Sequence, residues 1–174
     1  MITILVKNTV ALVIILVFFL LTVNPGYAEQ NTHLKVSQSW SRATTSLQKT
    51  GAVFLKIKNN GMHSDRLIGV ETDIANNSSL HETLHEDGVI KMRLVKEGIK
   101  VSAKGEVMLA PGHKHIMLMG LKKKLTENSN IPLTLIFERG GKISILAIVL
   151  PPGSRGLNQS GVSGMKHKKH MMKK

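Results

Sequence analysis

At 174 residues, the chain is long enough for one well-packed domain, and with no cysteine it must hold that domain without disulfides. Any soft-metal chemistry must then use thioether and imidazole donors, which, unlike thiolate, are not lost to disulfide formation. A formal charge of +13 raises a nucleic-acid reading, but one Trp, one Tyr and four Phe leave few stacking platforms, and an N-terminal export signal argues further against it, so no nucleic-acid partner is expected.

At the N-terminus, Lys7 precedes an unbroken apolar stretch from Val10 to Leu21 and then Asn24-Pro25-Gly26-Tyr27-Ala28. This is the pattern of a secretory signal peptide, so residues 1–28 are expected to be removed after Ala28 and the protein to be periplasmic. A retained anchor helix is the alternative, although the apolar run is shorter than the roughly 20 residues a span requires.

Residues 29–152 read as one domain in which short β-branched runs alternate with Gly, Asn and Asp, and no helical period is sustained. The predicted strands are Leu34–Trp40, Ala52–Asn59, Asp65–Thr72, Ser79–His85, Val89–Val95, Val107–Leu109, His115–Leu121, Leu133–Phe137 and Lys142–Leu150. Their even spacing predicts an all-β fold, an antiparallel Greek-key sandwich. Turn chemistry separates them at Asn59-Asn60-Gly61, Asp87-Gly88, Pro111-Gly112 and Gly140-Gly141, with Asp87-Gly88 marking a two-residue hairpin. Pro151-Pro152-Gly153 ends the last strand, and residues 153–174 have almost nothing to bury, so they predict a disordered basic tail.

The eight His and nine Met cluster rather than scatter. A two-residue turn at Asp87-Gly88 pairs His85 with Ile90 and Thr83 with Met92, which places His81, Thr83, His85, Ile90 and Met92 on one face. His81 and Met92 are then diagonal neighbours, about 7–8 Å apart at Cα, a gap that two long side chains can bridge to one ion. Further on, Pro111-Gly112-His113-Lys114-His115-Ile116-Met117-Leu118-Met119 puts His115 and Met117 on one side of a strand and Ile116 and Leu118 on the core side. His81, Met92, His115 and Met117 make a neutral, soft ligand set suited to Cu(I) and poorly suited to zinc, calcium or magnesium. His85, His113 and Met119 are auxiliary candidates. Singly, each Met also reads as core filler and each His as a solvated side chain; the pairing of the two clusters is what points to metal.

Ser39-Trp40-Ser41-Arg42-Ala43, Gly51-Ala52-Val53-Phe54, Asn59-Asn60-Gly61, Asp65-Arg66-Leu67, His81-Glu82-Thr83, Lys91-Met92-Arg93 and the segment from Pro111 to Met119 closely resemble the bacterial periplasmic copper chaperone family often called PCuAC. The resemblance runs from about Trp40 to Pro151. Ten residues separate His81 from Met92 and twenty-two separate Met92 from His115, one more than is usual in that family. The resemblance puts the extra residue in a turn region around Lys96 to Gly105, and His113 stands where a second glycine often follows the family's Pro-Gly. It implies a cupredoxin-like sandwich that holds Cu(I) near one exposed end through His81, Met92, His115 and Met117; the protein is expected to be a monomer. The cargo would pass to the copper-receiving subunit of a respiratory oxidase or to a thiol-bearing assembly factor. Copper sequestration or tolerance without an oxidase recipient is the alternative.

The tail carries Met165, His167, His170, Met171 and Met172 among lysines. It reads either as a flexible metal arm, able to take Cu(II) as well as Cu(I), or as a polybasic terminus touching anionic lipid. Catalysis is not expected. Glu82 and Glu86 alternate to the face opposite His81 and His85, and neither Gly-x-Ser-x-Gly nor His-Glu-x-x-His occurs.

Overall fold

The computed structural model describes residues 33–86 and 88–157. The predicted signal segment, residues 1–28, lies outside the described residues, as does the tail from 158 onward with Met165, His167, His170, Met171 and Met172. The described chain is all-β: β1 (Leu34–Arg42), β2 (Thr50–Asn59), β3 (Asp65–Glu71), β4 (Ala75–Glu86), β5 (Val89–Leu94), β6 (Ile99–Val101), β7 (Glu106–Leu109), β8 (Lys114–Leu121), β9 (Asn130–Phe137) and β10 (Gly141–Leu150). The predicted strands are all present with shifted ends, and β6 is additional. It lies inside the segment expected to be only a turn region. Three residues are too few to show a period, yet Ile99 and Val101 are buried and the strand pairs with β3. The turn before it needs glycine: Gly98 has φ 71°, and a Cβ there would lie 2.5 Å from the Leu67 carbonyl oxygen.

The strands hydrogen-bond in the order β5-β4-β8-β2-β1-β10-β9-β3-β6, with β7 pairing β2 as a branch. All these pairings are antiparallel except β1 with β10, which run parallel at Trp40↔Ile148 and Arg42↔Leu150. The sheet is therefore mixed where a purely antiparallel one was expected. The physical reason is that β1 and β10 open and close the domain, so the whole intervening chain connects them and no tight hairpin imposes opposite directions.

Inward residues of β2, β4 and β8, including Val53, Leu55, Leu80, Ile116 and Leu118, meet those of β3, β6, β9 and β10 in one buried cluster. A bulge in β1 builds a second, smaller one. Leu34 and Val36 pack against the main core, but the register shifts between Ser37 and Trp40, where Gln38 takes φ 54°. One extra residue reverses the facing of the rest of the strand, so Trp40 turns outward onto Phe54 and Leu150. That outer cluster stands on the face where the predicted ligands lie.

Truncating Ile116, which is fully buried, to alanine is expected to cost about 2–5 kcal/mol in urea unfolding. Gly98→Ala is expected to cost about 1–3 kcal/mol through its left-handed backbone and the Leu67 contact. Met92→Ala, at a position 61% exposed, should change stability by no more than about 0.5 kcal/mol.

Candidate metal site

Two strand registers assemble the site. Across β4 and β5, Glu86 pairs with Val89, His85 with Ile90, Thr83 with Met92 and His81 with Leu94. This is the predicted two-residue turn, with Gly88 at φ 77°, and it leaves Met92 diagonal to His81. Across β4 and β8, His81 stands directly opposite His115 and Ser79 opposite Met117, while Ala52 of β2 flanks Met117 on the other side. All four predicted ligands thus share the outer face of one sheet region. Strand alternation sends their neighbours Leu80, Ile116 and Leu118 into the core.

The two imidazoles are oriented by hydrogen bonds that leave one nitrogen of each available. His115 donates from Nδ1 to the His113 carbonyl oxygen at 2.9 Å, so its Nε2 carries the lone pair. His81 Nε2 lies 3.0 Å from Ser79 Oγ; with Nε2–H donating there, the lone pair is on Nδ1. Among the described residues, His81 Nδ1 is a buried side-chain polar atom without a hydrogen-bond partner. Burial, and then the neighbouring His115 ring, hold His81 below the ordinary imidazole range, which keeps it neutral. The ring centroids are 6.1 Å apart. An ion between them needs about 2.0 Å to each nitrogen and roughly 1.1 Å more to each centroid, a span of about 6 Å.

A cleft of about 400 Å³ opens over this face, lined by Met92, His115 and Met117 together with Arg42, Phe54 and Pro152. His115 is only 5% exposed, although the site as a whole opens at one end of the sheet. The cover is the outer cluster. Trp40 and Phe54 rings lie 4.7 Å apart and Phe54 sits 6.3 Å from the His115 ring. The Arg42 guanidinium stands 5.7 Å from the Trp40 ring centroid and 5.6 Å from that of Phe54, and its Nε donates to the Ser154 carbonyl oxygen at 2.7 Å. The first residues of the predicted disordered tail are therefore tied down beside the cleft.

No carboxylate enters the donor set. Glu82 projects from the opposite face, accepts from Lys114 Nζ at 2.7 Å, and is held below the usual carboxylate range chiefly by that bond. Among the described residues there is also no group of three or more His, Cys, Asp or Glu side chains able to hold an ion, as a zinc or calcium site of the usual kind would need. What remains is neutral and soft. Of the auxiliary candidates, His85 and His113 are exposed, on the same face but outside the cleft, and half-buried Met119 lies between Thr50 and Asn77, one step along β8 from the cleft. Sequence reasoning overlooked Ser79, Phe54 and Arg42. Ser79 shares parity with His81 and was legible in principle; the roles of Phe54 and Arg42 depend on the β1 bulge, which leaves no sequence signal.

A family model described as "Putative lipoprotein LpqE-like" matches residues 34–149. A putative lipoprotein of Leifsonia xyli subsp. xyli is 36% identical over 116 residues, covering 67% of this chain and 68% of that one. An uncharacterized Rickettsia prowazekii protein is 28% identical over 104 residues, covering 58% of each. Among solved structures, the apo PCuAC domain from PmoF1 superposes with a TM-score of 0.59 at 27% identity, covering 69% of this chain and 95% of that domain. The solution structure of CuI-DR1885 from Deinococcus radiodurans superposes with a TM-score of 0.53 at 25% identity, covering 72% and 82%. The copper-bound PCuAC domain from PmoF2, at 24% identity and a TM-score of 0.57 over 69% and 94%, shares the fold. Because the family match runs from the first strand to the last and the same architecture returns from the solved structures, this chain belongs to the LpqE-like family and its domain is of the PCuAC type.

Proposed function

We propose that this protein is an exported copper chaperone rather than an enzyme, that it binds Cu(I) through His81, Met92, His115 and Met117, and that it delivers the ion to the copper centre of a respiratory oxidase or to a thiol-bearing assembly factor. The observation that carries the reading is the cross-strand imidazole pair. His81 and His115 face each other with ring centroids 6.1 Å apart, and the partnerless Nδ1 of His81 is the buried donor a metal would satisfy. Met92 and Met117 line the cleft beside them and supply sulfur, which selects monovalent copper over zinc. A solved relative named as a Cu(I) form supports the choice of cargo.

Exposure fits a carrier. His115 is buried and held from behind, while Met92 is 61% exposed at the rim, so an incoming thiolate can displace the thioether before the imidazoles let go. Release by stepwise exchange then needs no unfolding. The oxidase recipient rests on the family resemblance, and the tail's metal-arm reading, with Cu(II) as a further ion, concerns residues outside those described.

Anaerobic Cu(I) titration with X-ray absorption tests the ligand set: wild type should show both nitrogen and sulfur scattering, and Met117→Ala should lose sulfur amplitude. An unchanged spectrum would remove Met117 from the site. Cu(I) should also raise the melting temperature of wild type, since a ligand of the native state stabilises it, and His115→Ala should abolish the rise. Ser79→Ala is expected to weaken Cu(I) binding roughly tenfold by freeing the His81 ring, with little change in apo stability; a competition titration against bicinchoninate reads this directly.

A further inference from the structure

The ligand face does not stop at the inner set. The β4–β8 register continues one step past His81↔His115, where the Thr83 amide donates to the His113 carbonyl oxygen at 3.3 Å. On the other side of β4, Thr83 pairs with Met92, and two residues further His85 pairs with Ile90. Thr83, a short side chain, is thus ringed by His113 and Met92 on either flank and by His81 and His85 along its own strand. His85 is diagonal to both His113 and Met92, about 7–8 Å at Cα, and His113 and Met92, on the two strands flanking β4, are about 9–10 Å apart, spans that side chains as long as His and Met can close on one ion. Burial falls along the row: His115 is buried, His81 half-buried, His113 and His85 exposed. Among the described residues neither outer ring makes a hydrogen bond, and the nearby carboxylate Glu86 is engaged by Lys91 at 3.1 Å.

We propose that His85, His113 and Met92 form a second, outer Cu(I) position, which receives the ion and passes it to the inner His81–His115–Met117 set, with Met92 as the donor common to both. This rests on the inner site being a Cu(I) site. Met92 suits the shared role because it is exposed, unbranched and rotatable about three bonds, and its side chain reaches the inner cleft with His115 and Met117. Each step exchanges one neutral donor for another: the copper stays Cu(I), no proton or electron moves, and the thioether keeps hold of the ion while imidazoles replace one another. The outer rings sit beside the two turns, His113 directly after Gly112 and His85 just before the hairpin tip.

The test is a long-range 1H–15N imidazole titration of the full mature chain with Cu(I) buffered by bicinchoninate under anaerobic conditions, alongside stopped-flow loading. The His81 and His115 ring nitrogens should shift with the first equivalent and those of His85 and His113 with a later one. The double variant His85→Ala/His113→Ala should bind one equivalent fewer than wild type and load its inner site severalfold more slowly, with inner-site affinity unchanged. Any contribution of the tail is the same in both proteins. Unmoved His85 and His113 resonances, or equal stoichiometry and loading rate in the double variant, would overturn the outer position. Silence of His81 and His115 throughout would instead refute the inner Cu(I) site, a separate result in the same spectra.

Discussion

The antiparallel register between β4 and β8 is the constraint on which the site depends. It is enforced from the side away from the imidazoles. Leu80, Ile116 and Leu118 are essentially fully buried beneath these strands, each worth about 1.5–3 kcal/mol of burial. A one-residue slip would turn all three to solvent. The hydrophobic core therefore dictates that His81 and His115 meet, although it touches neither lone pair. The imidazole pairing inherits its precision from apolar packing, and the β4–β5 hairpin, with its two-residue turn, extends the same frame outward to Met92.

The bulge in β1 shapes the other side of the site. By turning Trp40 outward it creates a small aromatic cluster on a face that would otherwise be flat and wet. Phe54 belongs to that cluster and also lies against His115, so one side of the candidate metal face is buried while the hairpin side is open. The gradient from buried His115 to exposed Met92 is thus produced by where the second cluster ends. For a carrier this asymmetry matters: a wholly buried ligand set would trap its ion, and a wholly exposed one would lose it to any competing thiol.

Charge is segregated with equal economy. The face that carries the candidate ligands presents Ser, Thr, His, Met, Ala and Phe, with Arg42 at its edge held over the Trp40 and Phe54 rings, whereas Glu82, Lys91, Arg93 and Lys114 alternate to the other side, with Glu82 paired to Lys114. Neutral donors neither stabilise the divalent ion through carboxylate charge nor compete with a lysine for it. The strongly basic character of the chain accordingly says little about the site.

Much of this was legible in the sequence. Alternation alone put His115 with Met117 and sent Ile116 and Leu118 inward, and Asp87-Gly88 set the hairpin register that carries Met92 to His81; both are local effects, resolved within a strand or across a two-residue turn. Other features were not. The pairing of His81 with His115 joins strands over thirty residues apart in sequence, and no local pattern specifies which strands of a sandwich become neighbours. The parallel β1–β10 pair, the short β6, and the burial of His115 under Phe54 likewise arise from packing between distant segments. The sequence by itself determined which His and Met side chains are available and the face each would occupy, because side-chain chemistry and the period of two are written residue by residue; only the tertiary structure decided which faces meet, because that is set by the burial of apolar surface summed over the whole domain.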